Sequence, residues 1–213
     1  FFFHYLPFIS PMRLELPDDQ FVRLVPRDTL TDAELTDFCH QNPLIHVEQT
    51  PQGDLLIMPP THTDSSRTNA RINLQLGKWW EKEVEAGSEI FDSSGGFRLP
   101  DGSLRSPDAA WISPERWLGL SEAQRRHRYS PVCLDFVIEL KSYSDSLSEL
   151  QRKMTDTWLA NGTQLAFLID PETETSWIYR AGQAVPDVFA GFDHELSGDP
   201  TLPGFALDLR WLR

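Results

Sequence analysis

RSPDAAWI (residues 105–112), VCLDFVIELKS (132–142) and LQRKMTDTWLANGTQLAFLID (150–170) decide how this chain is read. In the first stretch a Pro-Asp pair leads into the apolar run Ala109 to Ile112. The second is a longer apolar run ending in Glu139-x-Lys141. Short apolar runs of this length read as strands, and the charges that follow the second run are expected at the strand's end, where the sheet opens. Side chains alternate along a strand, so Glu139 and Lys141 leave the same face as Val137. Phe136, Ile138 and Leu140 point the other way, into core. The third stretch opens as a helix whose Leu147, Leu150, Met154 and Trp158 form a narrow apolar stripe. Asn161-Gly162 closes that helix, and QLAFLID follows as a buried strand. Lys153 falls roughly 100° from the stripe, at the border of the buried face. Its long stem can run along the helix and carry the ammonium to a cleft.

Working outward, residues 13–28 read as an extended lead-in. Thr31-x-x-Glu34 is a capping box that opens a short helix, and Asn42-Pro43 stops it. LIHVEQT (44–50) and DLLIMPP (54–60) flank Pro51-Gln52-Gly53 as the arms of a hairpin. One face of the first arm carries Ile45, Val47 and Gln49; the other carries His46 and Glu48. Ile72, Leu76, Trp79 and Glu83 step by three and four along a helix over about residues 65–86, with Gly87 as its stop. Gly95-Gly96 and Asp101-Gly102 split the strands that precede Asp108. Residues 114–130 read as a polar connection with a short helix. Beyond the turn at Asp170-Pro171 lies SWIYR (176–180), and the last forty residues carry little pattern except LDLRWL (207–212). The expected architecture is α/β (α+β): a mixed sheet flanked by helices, preceded by an N-terminal helix and hairpin. The lead-in occupies residues 1–28 and the domain residues 29–213.

A chain of 213 residues, 40% hydrophobic, is long enough to bury a full core. FFFHYLPFIS (1–10) is apolar but short, and lacks the basic flank and cleavage site of a secretory signal. The chain starts on Phe1 rather than a methionine, so we read a truncated start with Met12 as a candidate initiator. No run reaches the ~18 consecutive apolar residues of a membrane span. Cys39 and Cys133 lack the spacing of a disulfide framework or a zinc site. The expected setting is therefore a reducing cytoplasm, away from membranes. The net charge of −13 opposes tight binding to nucleic acid, which normally shows a basic footprint. Arg125, Arg126, His127 and Arg128 form the one dense basic stretch, readable as a solvated loop or as a phosphate-contacting patch.

The chemistry suggested by this order is that of a divalent metal. Asp108 and Glu139 would stand at the ends of neighbouring strands, where two carboxylates repel and a hard cation relieves the repulsion. Mg2+ favours one or two carboxylates plus water and phosphate oxygens. It makes bound water more acidic and stabilises charge on phosphoryl oxygens. A nearby lysine can orient the nucleophile and offset developing charge. Pro-Asp and Glu-x-Lys are each frequent, and an ordinary ion pair at a strand end fits the same spacing.

RSPDAAWIS, DFVIELKSYSD, LQRKM, LANGTQL and LIDPE in this order resemble the Uma-type restriction-endonuclease family, a branch of the PD-(D/E)XK nuclease superfamily. The resemblance extends through VEQTPQGDLLIMPPT, SRTNARINLQLGKWW and GGFRLPDGS, covering about residues 30–213. It implies a restriction-endonuclease-like fold, a DNA phosphodiester as substrate, Mg2+ or Mn2+ as cofactor, and a homo-oligomer. Carried onto this chain, Asp108 and Glu139 are the metal-binding carboxylates, and Glu48 matches an acidic position that can complete the site. Lys153 matches a lysine carried on a helix, with Gln151 beside it. Lys141 stands where the family often has arginine or an apolar residue, so Lys153 is assigned the catalytic role with Lys141 assisting. Thr157-Trp158 replaces a common tyrosine, a change expected to alter packing. The competing reading is a nuclease-like domain without turnover, serving as a binding or assembly module. RNA or damaged ends remain open as substrates.

Overall fold

The computed structural model describes residues 22–43, 45–58, 62–83 and 87–213. Part of the expected lead-in, and the last turn of the helix expected to end at Ala86, lie outside them. The chain divides into two compact units, Phe1–Pro60 and Thr61–Arg213.

The first unit contains β1 (Val22–Leu24), α1 (Asp32–Gln41), β2 (His46–Gln49) and β3 (Leu55–Met58). The capping box forms as expected. The Thr31 hydroxyl accepts from the Glu34 N–H at 3.3 Å, and the Glu34 carboxylate accepts from the Thr31 N–H at 2.9 Å. These bonds satisfy helix-end donors that would otherwise face water. Leu35 and Phe38 are the buried residues of α1. β3 pairs antiparallel with both β1 and β2. At the β2–β3 turn Gly53 has φ 93°, a left-handed conformation that only glycine adopts cheaply. A side chain there would also strike the Thr29 hydroxyl.

The second unit opens with α2 (Thr63–Glu83), followed by β4 (Glu89–Asp92), β5 (Phe97–Arg98), β6 (Leu104–Arg105) and β7 (Ala109–Ile112). Two short helices, α3 (Pro114–Gly119) and α4 (Glu122–Arg125), lead to β8 (Phe136–Leu140). Next come α5 (Leu147–Arg152), a π-helical turn (Lys153–Leu159), β9 (Leu165–Asp170) and β10 (Thr175–Arg180). β11 (Asp187–Ala190), β12 (Glu195–Ser197), β13 (Ala206–Asp208) and a 3-10 turn (Leu209–Leu212) complete it.

Six strands form one sheet in the order β11-β10-β9-β8-β7-β4. Its neighbours run antiparallel except β8 and β9, which are parallel and joined through α5 and the π turn. A parallel pair needs such a crossover. β8 and β9 are buried along their whole length, which explains why they are apolar apart from Glu139 and the terminal Asp170. On one face Phe136, Ile138 and Leu140 pack with Phe167, Ile72 and Leu76 of α2, and the C-terminal Phe205 and Leu209. On the other, Val137 packs with Leu168, Met154 and Trp158. The sheet is therefore the middle of three layers. The expected alternation along β8 holds, but the face carrying Glu139 is itself covered core.

The stretch with little sequence pattern closes the first of these cores. The Gln75 amide of α2 makes a two-way bridge to Asp208, accepting from its N–H at 2.8 Å and donating to its carbonyl at 3.2 Å. Arg71 donates to the carbonyls of Trp211 and Arg213 at 2.9 and 2.6 Å. Trp79 meets Trp111 and Phe205 edge-on or tilted, with centroids 6.1 and 5.6 Å away, so Trp79 serves packing.

Candidate active site

Asp108 sits immediately before β7, and its position is set by β8. Its N–H donates to the carbonyl of Ile138 at 3.1 Å, and its Oδ2 accepts from the Leu140 N–H at 2.8 Å. Asp108 thus bonds to the residues on both sides of Glu139, which places the two acids side by side on adjacent strands. From α2, the Asn69 amide reaches Asp108 Oδ1 at 3.4 Å, and Asn73 donates to the Asp108 carbonyl at 3.1 Å. Asn73 also donates to the Asn69 side chain at 2.8 Å, linking the two amides. The helix therefore steadies the approach to β7 as well as covering the sheet.

Glu139 is 4% exposed, so its charge needs partners. Lys153 Nζ lies 2.9 Å from Glu139 Oε1, and the Trp158 indole N–H donates to the same oxygen at 2.7 Å. Lys153 Nζ also stands 5.9 Å from the Trp158 ring centroid. Lys153 and Trp158 both lie on the π turn. In an α-helix, residues five apart are about 140° apart around the axis. A helix bonded from i to i+5 takes more residues per turn and swings them toward one side. The bonds from Ala160 N–H to Thr155 and from Thr163 N–H to Trp158, both 3.1 Å, have this spacing.

The second lysine goes elsewhere. Lys141 Nζ lies 3.3 Å from Glu172 and 3.9 Å from Asp170, at the end of β9. Of the two lysines weighed from sequence, Lys153 is the one that contacts Glu139. Glu48 is buried on β2 in the first unit, 3% exposed. Part of the basic stretch is engaged locally. Arg125 donates to the carbonyls of Trp117 and Leu120 at 3.2 and 2.8 Å, closing α3, and Arg126 pairs with Glu122 at 2.9 Å.

Asn69, Asn73 and the N–H of Trp158 were not anticipated as parts of this cluster. The only signal was positional: two amides one turn apart beside the apolar stripe of α2, and a tryptophan replacing a phenol. The donor set is oxygen-rich. Two carboxylates on adjacent strands match in number the one or two that Mg2+ takes from a protein. They do not match the three or four N/S-rich ligands of zinc. Among the described residues there is no group of three or more His, Cys, Asp or Glu able to hold a metal. Two carboxylates alone would leave a hard cation to complete its shell from water and substrate.

Among the described residues, no helix is long and apolar enough to cross a membrane. No curated protein matches the chain. The fold resembles the crystal structure of a "putative nuclease belonging to DUF820" from Anabaena variabilis. The TM-score is 0.66 at 19% identity, over 78% of this chain and 91% of that one. Residues 32–210 match the Uma2 family, described as "Putative restriction endonuclease". The match spans both units, from the first residue of α1 to the final 3-10 turn, and it supports a nuclease function. By this match the chain belongs to the Uma2 restriction-endonuclease family.

Proposed function

We propose that the protein is a Mg2+- or Mn2+-dependent endonuclease that hydrolyses phosphodiester bonds in DNA, with Asp108 and Glu139 holding the cation and Lys153 assisting. One observation carries this reading: Asp108 is bonded to both neighbours of Glu139, and a lysine ammonium lies against Glu139. A divalent cation held there acidifies bound water and stabilises charge on the phosphoryl oxygens. The chain's own groups supply the rest. The Leu140 N–H and the Asn69 amide orient the Asp108 carboxylate. Lys153 offsets negative charge at Glu139 and offers a donor to a phosphoryl oxygen or the attacking water. Burial of Glu139 lowers the local dielectric and strengthens these interactions.

Nicking of supercoiled plasmid tests the proposal. Cleavage should require Mg2+ or Mn2+ and fall at least about 100-fold in Asp108→Asn and Glu139→Gln, as expected for losing a group that stabilises the transition state. Melting curves should show both variants folded. Unchanged cleavage in either variant refutes the assignment. The net charge of −13 favours a second reading, a nuclease-like module that binds or assembles without turnover. Metal-independent binding with no nicking at any Mg2+ or Mn2+ concentration would select it.

A further inference from the structure

Trp158 is fully buried, yet its one polar atom is spent on Glu139. A buried indole N–H needs an acceptor, and backbone carbonyls commonly serve. Here the acceptor is the same carboxylate oxygen that takes Lys153, and both donors come from one π turn. Two donors on one oxygen restrict rotation of the carboxylate about its last bond. The cation–π contact between Lys153 and the ring ties the donors to each other.

We propose that Trp158 is a positioning residue of the site: its N–H and the Lys153 ammonium together set the orientation of Glu139 beside Asp108 for a divalent cation. The inference rests on the metal-site reading above and adds to it a residue that touches neither metal nor substrate. Partners that orient a ligating carboxylate commonly change metal affinity 10- to 100-fold when lost. Phenylalanine at this position keeps an aromatic ring but has no N–H.

The test uses the full chain, its seven tryptophans labelled with 15N at the indole nitrogen. Trp158→Phe identifies the Trp158 signal by its disappearance. In wild type this signal should shift on Mg2+ titration and saturate along the calorimetric binding curve. In Trp158→Phe the dissociation constant for Mg2+ should rise at least about 10-fold. Trp177→Phe is the packing control, since Trp177 belongs to the same buried cluster and is 7% exposed. It should leave Mg2+ affinity within about twofold.

Any of the following results overturns the inference. Mg2+ could bind wild type while the Trp158 signal stays still and Trp158→Phe binds as well as wild type. Trp177→Phe could weaken binding as much as Trp158→Phe, which would reduce the effect to packing. Wild type could bind no Mg2+ at all, in which case the metal-site reading falls too. Loss of binding in Asp108→Asn alone, with Trp158→Phe unaffected, would sink this inference and leave that reading standing.

Discussion

Replacing Lys153 with methionine removes the ammonium but keeps a stem of similar length. It leaves Glu139 with its side chain 6% exposed and without the cation that stood 2.9 Å away. Breaking a buried ion pair from one side costs ~3–5 kcal/mol, because the surviving charge stays desolvated. The Lys153 side chain is 17% exposed and the Trp158 N–H still reaches Glu139, which places the loss at the low end. A destabilisation of about 3 kcal/mol lowers the melting temperature by about 6–12 °C in a chain of this size. Adding Glu139→Gln removes the stranded charge while keeping an acceptor for the indole. The double variant should therefore lie within about 1 kcal/mol of wild type. Even if Glu139→Gln alone costs nothing, the coupling is then at least about 2 kcal/mol, well above the ~0.3–0.5 kcal/mol scatter of independent sites. Urea unfolding of the four proteins in EDTA measures the cycle. Additive single effects, or a Lys153→Met cost under about 1 kcal/mol, would refute the idea that Glu139 is charged, buried and neutralised by this lysine.

Phe136 is fully buried, with Phe167 and Phe205 edge-on at 5.0 and 5.7 Å. Phe136→Ala should cost about 3–5 kcal/mol through lost burial and the cavity left behind, read in the same unfolding experiment. At the C-terminal end, hydrogen bonds from Arg213 hold the Glu174 and Asp193 carboxyls below their ordinary values of 4.5 and 3.8. Groups with depressed folded values contribute stability above those ordinary values and lose it as pH falls through the lowered ones. Arg213→Ala should therefore melt earlier than wild type at pH 7, with the gap closing as the pH falls below about 4. A gap independent of pH would show that the arginine acts through packing.

Much of the fold was legible because its signals are local. A threonine three residues before a glutamate specifies a helix start through two hydrogen bonds within one turn, and α1 begins there. Gly53 marks a turn because few other residues tolerate its backbone angles. β9 read as a buried strand because water is excluded from both of its faces. The C-terminal segment escaped because its partners are remote in sequence. Asp208 is paired by a glutamine on α2, and Phe205 packs against the distant Phe136 and Trp79. No short window contains both halves of such contacts.

The candidate site divides in the same way. From sequence alone came two acids near the ends of neighbouring strands and two lysines able to serve them. Alternation along β8 put Glu139 and Lys141 on one face, and side-chain period is a property of any strand. Which lysine meets Glu139 was settled by tertiary structure, since Lys141 turns toward Asp170 and Glu172 at the end of β9. Lys153 reaches Glu139 from the first residue of the π turn, whereas the sequence placed it only at the border of the stripe. The ring expected to change packing also donates a hydrogen bond to Glu139. Residue types and local spacing declare which groups are present; the direction of each charged tip depends on neighbours that the backbone delivers from elsewhere in the chain.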